Sequence, residues 1–227
     1  MARVGRDVEP VAGSELALTR REIGARTTAT AGAEEADTLL YVVAGTGTIS
    51  LGEMRPLAPR TAALVPSGEE ASVEARDDLD LVVATVGAGV DRHAPMGSRV
   101  LTSPLDDATA QAATGARSFQ ILFDASNGST RATLFAGFVP PGSAPWHYHL
   151  YDEIVWIPDG PGRLHLDEGV EDLGPSAAFR LRPREVHIVE NTSPDRDLTI
   201  IGVFTPAGSP SAAYLTPEIA AEYRFAG

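Results

Sequence analysis

The chain has 227 residues, enough for two domains of roughly 110 residues each, and its formal net charge is 18 − 31 = −13. An acidic surface repels phosphate backbones and anionic lipid, so no nucleic-acid or membrane partner is expected, and a small molecule is the expected ligand. There is no cysteine, which excludes disulfide frameworks, thiolate metal sites and cysteine nucleophiles. No apolar run approaches the ~20 residues of a membrane span, and the first residues lack the apolar core of a signal peptide; the default expectation is a cytoplasmic location.

The 22 glycines and 17 prolines are scattered between short apolar runs, the punctuation of many short strands. In chain order, residues 1–20 predict two short strands around Val11-Ala-Gly-Ser14, with Leu16 and Leu18 alternating with polar neighbours. Residues 38–43 form an apolar, β-branched run closed by Ala44-Gly45-Thr46-Gly47, and Thr48–Leu51, Ala62–Val65, Ser72–Ala75 and Leu79–Val86 follow as strands. From about Gly87 to Ala116 the composition turns to Ala, Gly, Asp, Ser and Pro, which reads as a linker with a helical turn around Asp107–Ala113. Ser118–Phe123 alternates as a strand, Asn127-Gly128 supplies a turn, and Thr130–Val139 returns. One helix is expected near the C-terminus, where Thr216, Pro217 and Glu218 provide an N-cap, a proline at the first helical position and an acidic first turn before Ile219–Tyr223.

The second half repeats the first. Asp152–Gly162 overlays Asp37–Gly47 at an offset of 152 − 37 = 115, which also pairs Gly128 with Gly13. Leu173-Gly-Pro175 overlays Leu57-Ala-Pro59 at 175 − 59 = 116, and Arg182-Pro-Arg184 falls on Pro66-Ser-Gly68. A shared phase over this length argues for two copies of one β domain. At these offsets His147 falls on Gly32, His149 on Glu34, Glu153 on Thr38 and His187 on Ala71. The first copy keeps the glycines and the apolar run but none of these four polar groups.

Those four residues carry the chemistry. Side chains alternate along a strand, so His147, His149 and Glu153 share one side with Val155 and Ile157, while Trp146 and Tyr148 face the other way. His187, on a later strand, closes the site from across the barrel. Three neutral imidazoles and one carboxylate suit Fe, Mn, Co, Ni, Zn or Cu. On an octahedral ion they leave two positions open; a closed tetrahedral structural zinc site is the alternative.

Gly142, His147-x-His149, Glu153 and Gly160, followed by Gly174, Arg182, Arg184, His187 and Asn191, resemble the two motifs of the cupin superfamily, and the duplication resembles a bicupin. The match departs from the family pattern at Arg182 and Arg184, which occupy its proline and glycine positions; the first copy keeps Pro66 and Gly68 there. The resemblance implies an all-β fold of two tandem double-stranded β-helix (jelly-roll) barrels with a short C-terminal helix. It implies a degenerate barrel at 1–90, a linker at 91–116 and a metal-bearing barrel at 117–227. His147, His149, Glu153 and His187 are the implied metal ligands, for one divalent ion per chain: Fe or Mn first, with Ni, Zn, Co or Cu as alternatives. Glu153 is also the candidate catalytic base. The implied activity is a metal-dependent dioxygenase acting on a small oxygenated organic substrate, with a redox-neutral isomerase, cyclase or lyase, or a non-catalytic binding protein, as alternatives. A homodimer is expected from family habit.

Other residues have plainer readings. Asn191 is expected to brace the turn after the His187 strand, and His165 to be a structural histidine. His93 is expected in solvent, and Phe123, Phe135, Phe138 and Phe204 in the barrel core, one or two of them lining a pocket. Arg180, Arg182 and Arg184 share a face and read either as a solvated edge or as an anion-recognising rim at the pocket mouth. Gly45-Thr-Gly47 lacks the following helix that a dinucleotide motif needs.

Overall fold

The computed structural model describes residues 11–12, 15–113 and 116–222. Strands β1 (Val11–Ala12), β2 (Leu16–Ile23), β3 (Thr28–Ala31), β4 (Ala36–Ala44), β5 (Gly47–Leu51), β6 (Glu53–Leu57), β7 (Thr61–Val65), β8 (Ala71–Ala75), β9 (Leu79–Gly87) and β10 (Thr102–Pro104) build the first barrel. They form a six-stranded sheet, β1-β2-β9-β4-β7-β10, opposite a four-stranded one, β3-β8-β5-β6. Strands β11 (Gln111–Ala112), β12 (Ser118–Phe123), β13 (Thr133–Val139), β14 (Gly142–Ser143), β15 (Asp152–Trp156), β16 (Gly162–Leu166), β17 (Gly169–Leu173), β18 (Ala178–Leu181), β19 (His187–Asn191) and β20 (Leu198–Thr205) build the second. Its sheets run β11-β12-β13-β20-β15-β18 and β14-β19-β16-β17. The fold is all-β, with a short helix α1 (Pro217–Glu222) whose first turn is capped by Thr216, its Oγ1 accepting from the Ile219 N–H at 3.4 Å. The expected helix end at Tyr223 and the Gly13 turn lie outside the described residues.

The apolar runs are continuous because the six-stranded sheets bury both faces. In β4, Leu39 and Tyr41 join a core shared with the other barrel, while Leu40 and Val42 point into their own. In β15, Ile154 and Trp156 join the shared core, and Val155, with Ile157 just beyond the strand, lines the second barrel. The two barrels thus pack through their large sheets, with Tyr41 and Trp156 6.4 Å apart at the seam. The stretch read as a linker belongs to both sheets. β10 pairs with β7, β11 pairs with β12, and Leu101 and Leu105 are buried on either side of the join. The turn expected there is a 3₁₀ turn at Asp107–Thr109.

Strand registers place the two copies in one frame. Thr38 pairs with Val65 as Glu153 pairs with Leu181, offsets of 153 − 38 = 115 and 181 − 65 = 116. Two correspondences need correction. Ala31 pairs with Ala71 as His147 bridges His187, and the Gly68 N–H donates to Ala33 O as the Arg184 N–H donates to His149 O. Ala31 and Ala33, not Gly32 and Glu34, therefore stand where the histidines stand. The cause is one extra residue in the second copy between β14 and His147: the offset is 143 − 28 = 115 at Ser143 and 147 − 31 = 116 at His147. The interior of the first barrel is filled by side chains such as Leu40, Val42, Val65 and Val73.

A buried ion pair also crosses the seam. Arg131, before β13, donates to Asp37 of β4 at 2.6 Å, and Asp37 also accepts from the Ser67 N–H at 2.9 Å. Both charged side chains are about nine-tenths buried, at 10% and 8% exposure. Removing one partner strands the other charge in a low-dielectric setting. Arg131→Met is expected to destabilise the protein by about 3–5 kcal/mol, and pairing it with Asp37→Leu to recover most of that loss, both read by chemical denaturation.

Candidate metal centre

The second barrel brings together residues from three separate places. His147 and His149 lie on an extended segment after β14 that forms no regular strand. It is held by paired backbone bonds of His147 with His187 (3.2 and 2.9 Å) and of Tyr148 with Tyr214 (2.9 and 2.9 Å). Glu153 is the second residue of β15, and His187 opens β19. All four are buried, and one ring nitrogen from each histidine lies within 4.8 Å of the other two. The expected sharing of one side by His147, His149 and Glu153 holds in this geometry, although two of the three are not on a strand.

Every Nδ1 is engaged. His147 Nδ1 meets Pro145 O at 2.9 Å, His149 Nδ1 meets Ala212 O at 3.2 Å, and His187 Nδ1 meets Glu185 O at 2.9 Å. A carbonyl only accepts, so each Nδ1 carries the proton and each Nε2 keeps its lone pair. Burial, helped by the Arg117 cation, lowers the proton affinity of the rings, His147 to about 3 and His149 to about 4; His187 is lowered by burial and its two neighbours. The rings are therefore neutral donors at physiological pH. Glu153 Oε2 is 3.9 Å from His149 Nε2. Burial pushes the Glu153 carboxyl up to about 8, with Arg117 opposing; a bound cation would reverse that preference. Donors ~2.0–2.2 Å from one ion sit ~3–4 Å apart, so the set fits a first-row divalent ion held by His147, His149 and His187 with Glu153 beside them.

Packing supports the ligands. The His149 ring stacks on Tyr151 (4.6 Å, 10°), which stacks on Phe204 (3.9 Å, 17°). Glu153 and Phe135 lie over Gly202 of β20, where a Cβ would meet Phe135 Cε1 at 2.3 Å and Glu153 Oε1 at 3.1 Å. Above the histidines is a cavity of about 70 Å³ walled by Phe119, Phe135, Val139, Val155 and Ile200, with Arg117 and Tyr151 at its polar points and residues 210–213 over its side.

The remaining candidates fall elsewhere. Arg180 is bound bidentately by Asp152 at 2.7 and 2.7 Å, and Arg182 and Arg184 are exposed and do not line the cavity, which overturns the rim reading for all three. Arg184 instead takes a left-handed backbone (φ 68°) where the first copy has Gly68 (φ 78°), with its guanidinium 5.9 Å from the Tyr148 ring centroid. Asn191 braces as expected, donating to Val139 O and Arg196 O and accepting from the Ser193 N–H. His165 lies on the outward parity of β16 with Glu190 2.7 Å away, and His93 is exposed. Phe135 and Phe138 line the cavity, whereas Phe123 belongs to the inter-barrel core. Arg117, Tyr151 and the 210–213 segment were not anticipated. Arg117 had a signal: it precedes β12 on the parity of Phe119 and Ile121, both of the cavity-side cluster.

Residues 135–204 match the family model described as the cupin domain. No curated protein matches the chain by sequence. A cupin 2 conserved barrel domain protein from Leptotrichia buccalis aligns with TM-score 0.61 and 15% identity over 89% of this chain and 92% of its own. A mutant of Bacillus subtilis oxalate decarboxylase aligns with TM-score 0.72 and 13% identity over 98% and 80%. AerE from Microcystis aeruginosa aligns with TM-score 0.70 and 11% identity over 90% and 96%. Residues 135–204 thus match a cupin domain, and the chain as a whole shares the fold of these solved structures.

Purified protein loaded with Mn(II) or Fe(II) is expected to retain about one ion per chain by elemental analysis, and His147→Ala or His187→Ala to retain little. Gly202→Ala displaces Glu153 and Phe135, and is expected to weaken metal retention roughly 10- to 100-fold while the far-ultraviolet dichroism stays that of a β protein.

Proposed function

We propose that the protein is a mononuclear metal-dependent enzyme, using Fe or Mn at His147, His149, His187 and Glu153, that dioxygenates a small oxygenated organic substrate. The observation that carries this reading is the convergence of three neutral imidazoles, each with its tautomer set by a backbone carbonyl, on the floor of an apolar cavity. A divalent ion there supplies Lewis acidity and, if redox-active, one-electron chemistry. The chain supplies the rest. Phe119, Phe135, Val155 and Ile200 exclude water from the reacting end of the substrate. Glu153, buried on the cavity wall 3.9 Å from His149 Nε2, is kept ionised by a bound cation and takes a proton at Oε2 from an enol or phenol hydroxyl as the substrate enters.

A second reading is a redox-neutral lyase, isomerase or cyclase. It is favoured by the placing of the Glu153 carboxyl on the cavity wall beside the histidines, where it can pass a proton to a bound substrate, and by the likeness to Bacillus subtilis oxalate decarboxylase with its Mn(II) centres. Fe- and Mn-loaded protein assayed with enols and phenols, with and without dioxygen, separates the two. Dioxygenation requires dioxygen and places its atoms in the product; turnover without dioxygen sinks that version and supports the redox-neutral one. Under either reading Glu153→Gln is expected to lower kcat by about 100-fold or more.

A further inference from the structure

We propose that the Tyr151 hydroxyl donates a hydrogen bond to an oxygen of the ligand, so that this cavity takes small molecules presenting an acceptor oxygen, such as a carbonyl, with an apolar body against Phe119, Phe135 and Ile200. Tyr151 is two residues from His149 and two from Glu153, and it lines the cavity with them. Its ring is fixed by stacking on His149 at 4.6 Å and 10° and on Phe204 at 3.9 Å and 17°. Two parallel rings that approach one centroid this closely must lie on opposite faces. Tyr151 therefore shows the cavity only its edge, which carries the hydroxyl. The residue is 7% exposed, and among the described residues no group hydrogen-bonds that hydroxyl.

A buried hydroxyl without an acceptor is costly, and a ligand oxygen supplies what the protein does not. Neighbouring polar groups do not take that place. The histidine Nδ1 protons go to the carbonyls of Pro145, Ala212 and Glu185, and the Ser211 hydroxyl pairs with that of Ser209 at 2.8 Å. A phenol is protonated at neutral pH and donates, whereas an ionised Glu153 only accepts. The wall of Phe119, Phe135, Val155 and Ile200 offers no hydrogen bond to a second polar group, so a ligand polar along its whole length is disfavoured there. A cavity of about 70 Å³ holds roughly five to seven waters, which limits the enclosed part of the ligand to a handful of heavy atoms. A site that hydrogen-bonds a substrate oxygen discriminates against the analogue lacking it, which makes Tyr151 a specificity-determining residue.

This proposal deepens the metal-enzyme reading and rests on it only for what else the ligand oxygen meets; its test keeps the two apart. Cyclopentanone and its shape-matched hydrocarbon, methylenecyclopentane, are titrated by ligand-observed NMR against the full chain, both metal-free after chelation and loaded with Zn(II), with metal content measured on each sample. Tyr151→Phe keeps the ring and both stacks and removes only the hydroxyl. It is expected to weaken cyclopentanone binding about three- to tenfold in both forms, with methylenecyclopentane binding, metal content and the far-ultraviolet dichroism unchanged. The carbonyl carbon of isotope-labelled cyclopentanone bound to the unmutated protein is expected downfield of its position in a hydrocarbon solvent, and is expected to move upfield in Tyr151→Phe. Equal weakening of both probes, or of neither, overturns the proposal. So does a bound carbonyl carbon at the hydrocarbon position, or a failure of the unmutated protein to bind cyclopentanone. Failure of every sample to retain Zn(II), with the hydroxyl-dependent difference intact, overturns the metal reading and leaves the Tyr151 assignment standing.

Discussion

Each strand at the middle of the two large sheets has to bury both faces, and this constraint shapes everything else. β15 meets it by sending Ile154 and Trp156 into the seam between barrels and Glu153 and Val155 into its own barrel. A one-residue slip of β15 would put Trp156 in the cavity and Glu153 against the other barrel. The site and the inter-barrel core are therefore two readouts of a single register. The buried pair of Arg131 and Asp37 adds a polar check on that seam, since it is satisfied only when the barrels meet in this alignment.

The two barrels show what a shared fold does with and without a polar interior. In the first, Ala31, Ala33 and Ala71 stand at the histidine positions, and aliphatic side chains close the space. Thr38 marks the Glu153 position, and its buried hydroxyl has no hydrogen-bond partner among the described residues. In the second barrel the interior divides into an apolar base around Leu164, Phe179 and Leu181 and an aromatic wall of Phe119, Phe135, Tyr151 and Phe204. Between these layers the four polar groups are held by stacking and by backbone carbonyls, so the site is stiff without a dedicated network of polar side chains.

Much of this was legible in the sequence because it depends on side-chain type and parity. The alternation that put Glu153 with Val155 follows from strand geometry alone, and the 115-residue repeat followed from glycines and apolar runs. What escaped notice has physical reasons. The extra residue before His147 lies in a segment without regular strand structure, so periodicity cannot detect it, and the counterparts were read one residue late. The carbonyls of Pro145, Ala212 and Glu185 select the histidine tautomers, but a carbonyl belongs to every residue and leaves no sequence mark. Arg180 resembled a binding residue until its partner Asp152, directly across the β15–β18 pairing, accounted for its charge. Arg117 was the reverse case, an arginine beside a stretch read as linker that the fold brings to the cavity wall.

The Ala212 carbonyl that fixes His149 lies 63 residues further along the chain, in a segment that leaves β20, crosses the cavity and is tied down by the Tyr148–Tyr214 bridge. During synthesis this segment emerges after every strand of the barrel. Until it docks, His149 has no carbonyl to choose its tautomer and the cavity has one wall missing. The site is therefore complete only when the last stretch lies over the mouth: two of the three imidazoles are orientated from within the barrel, and the third depends on a carbonyl contributed after its final strand.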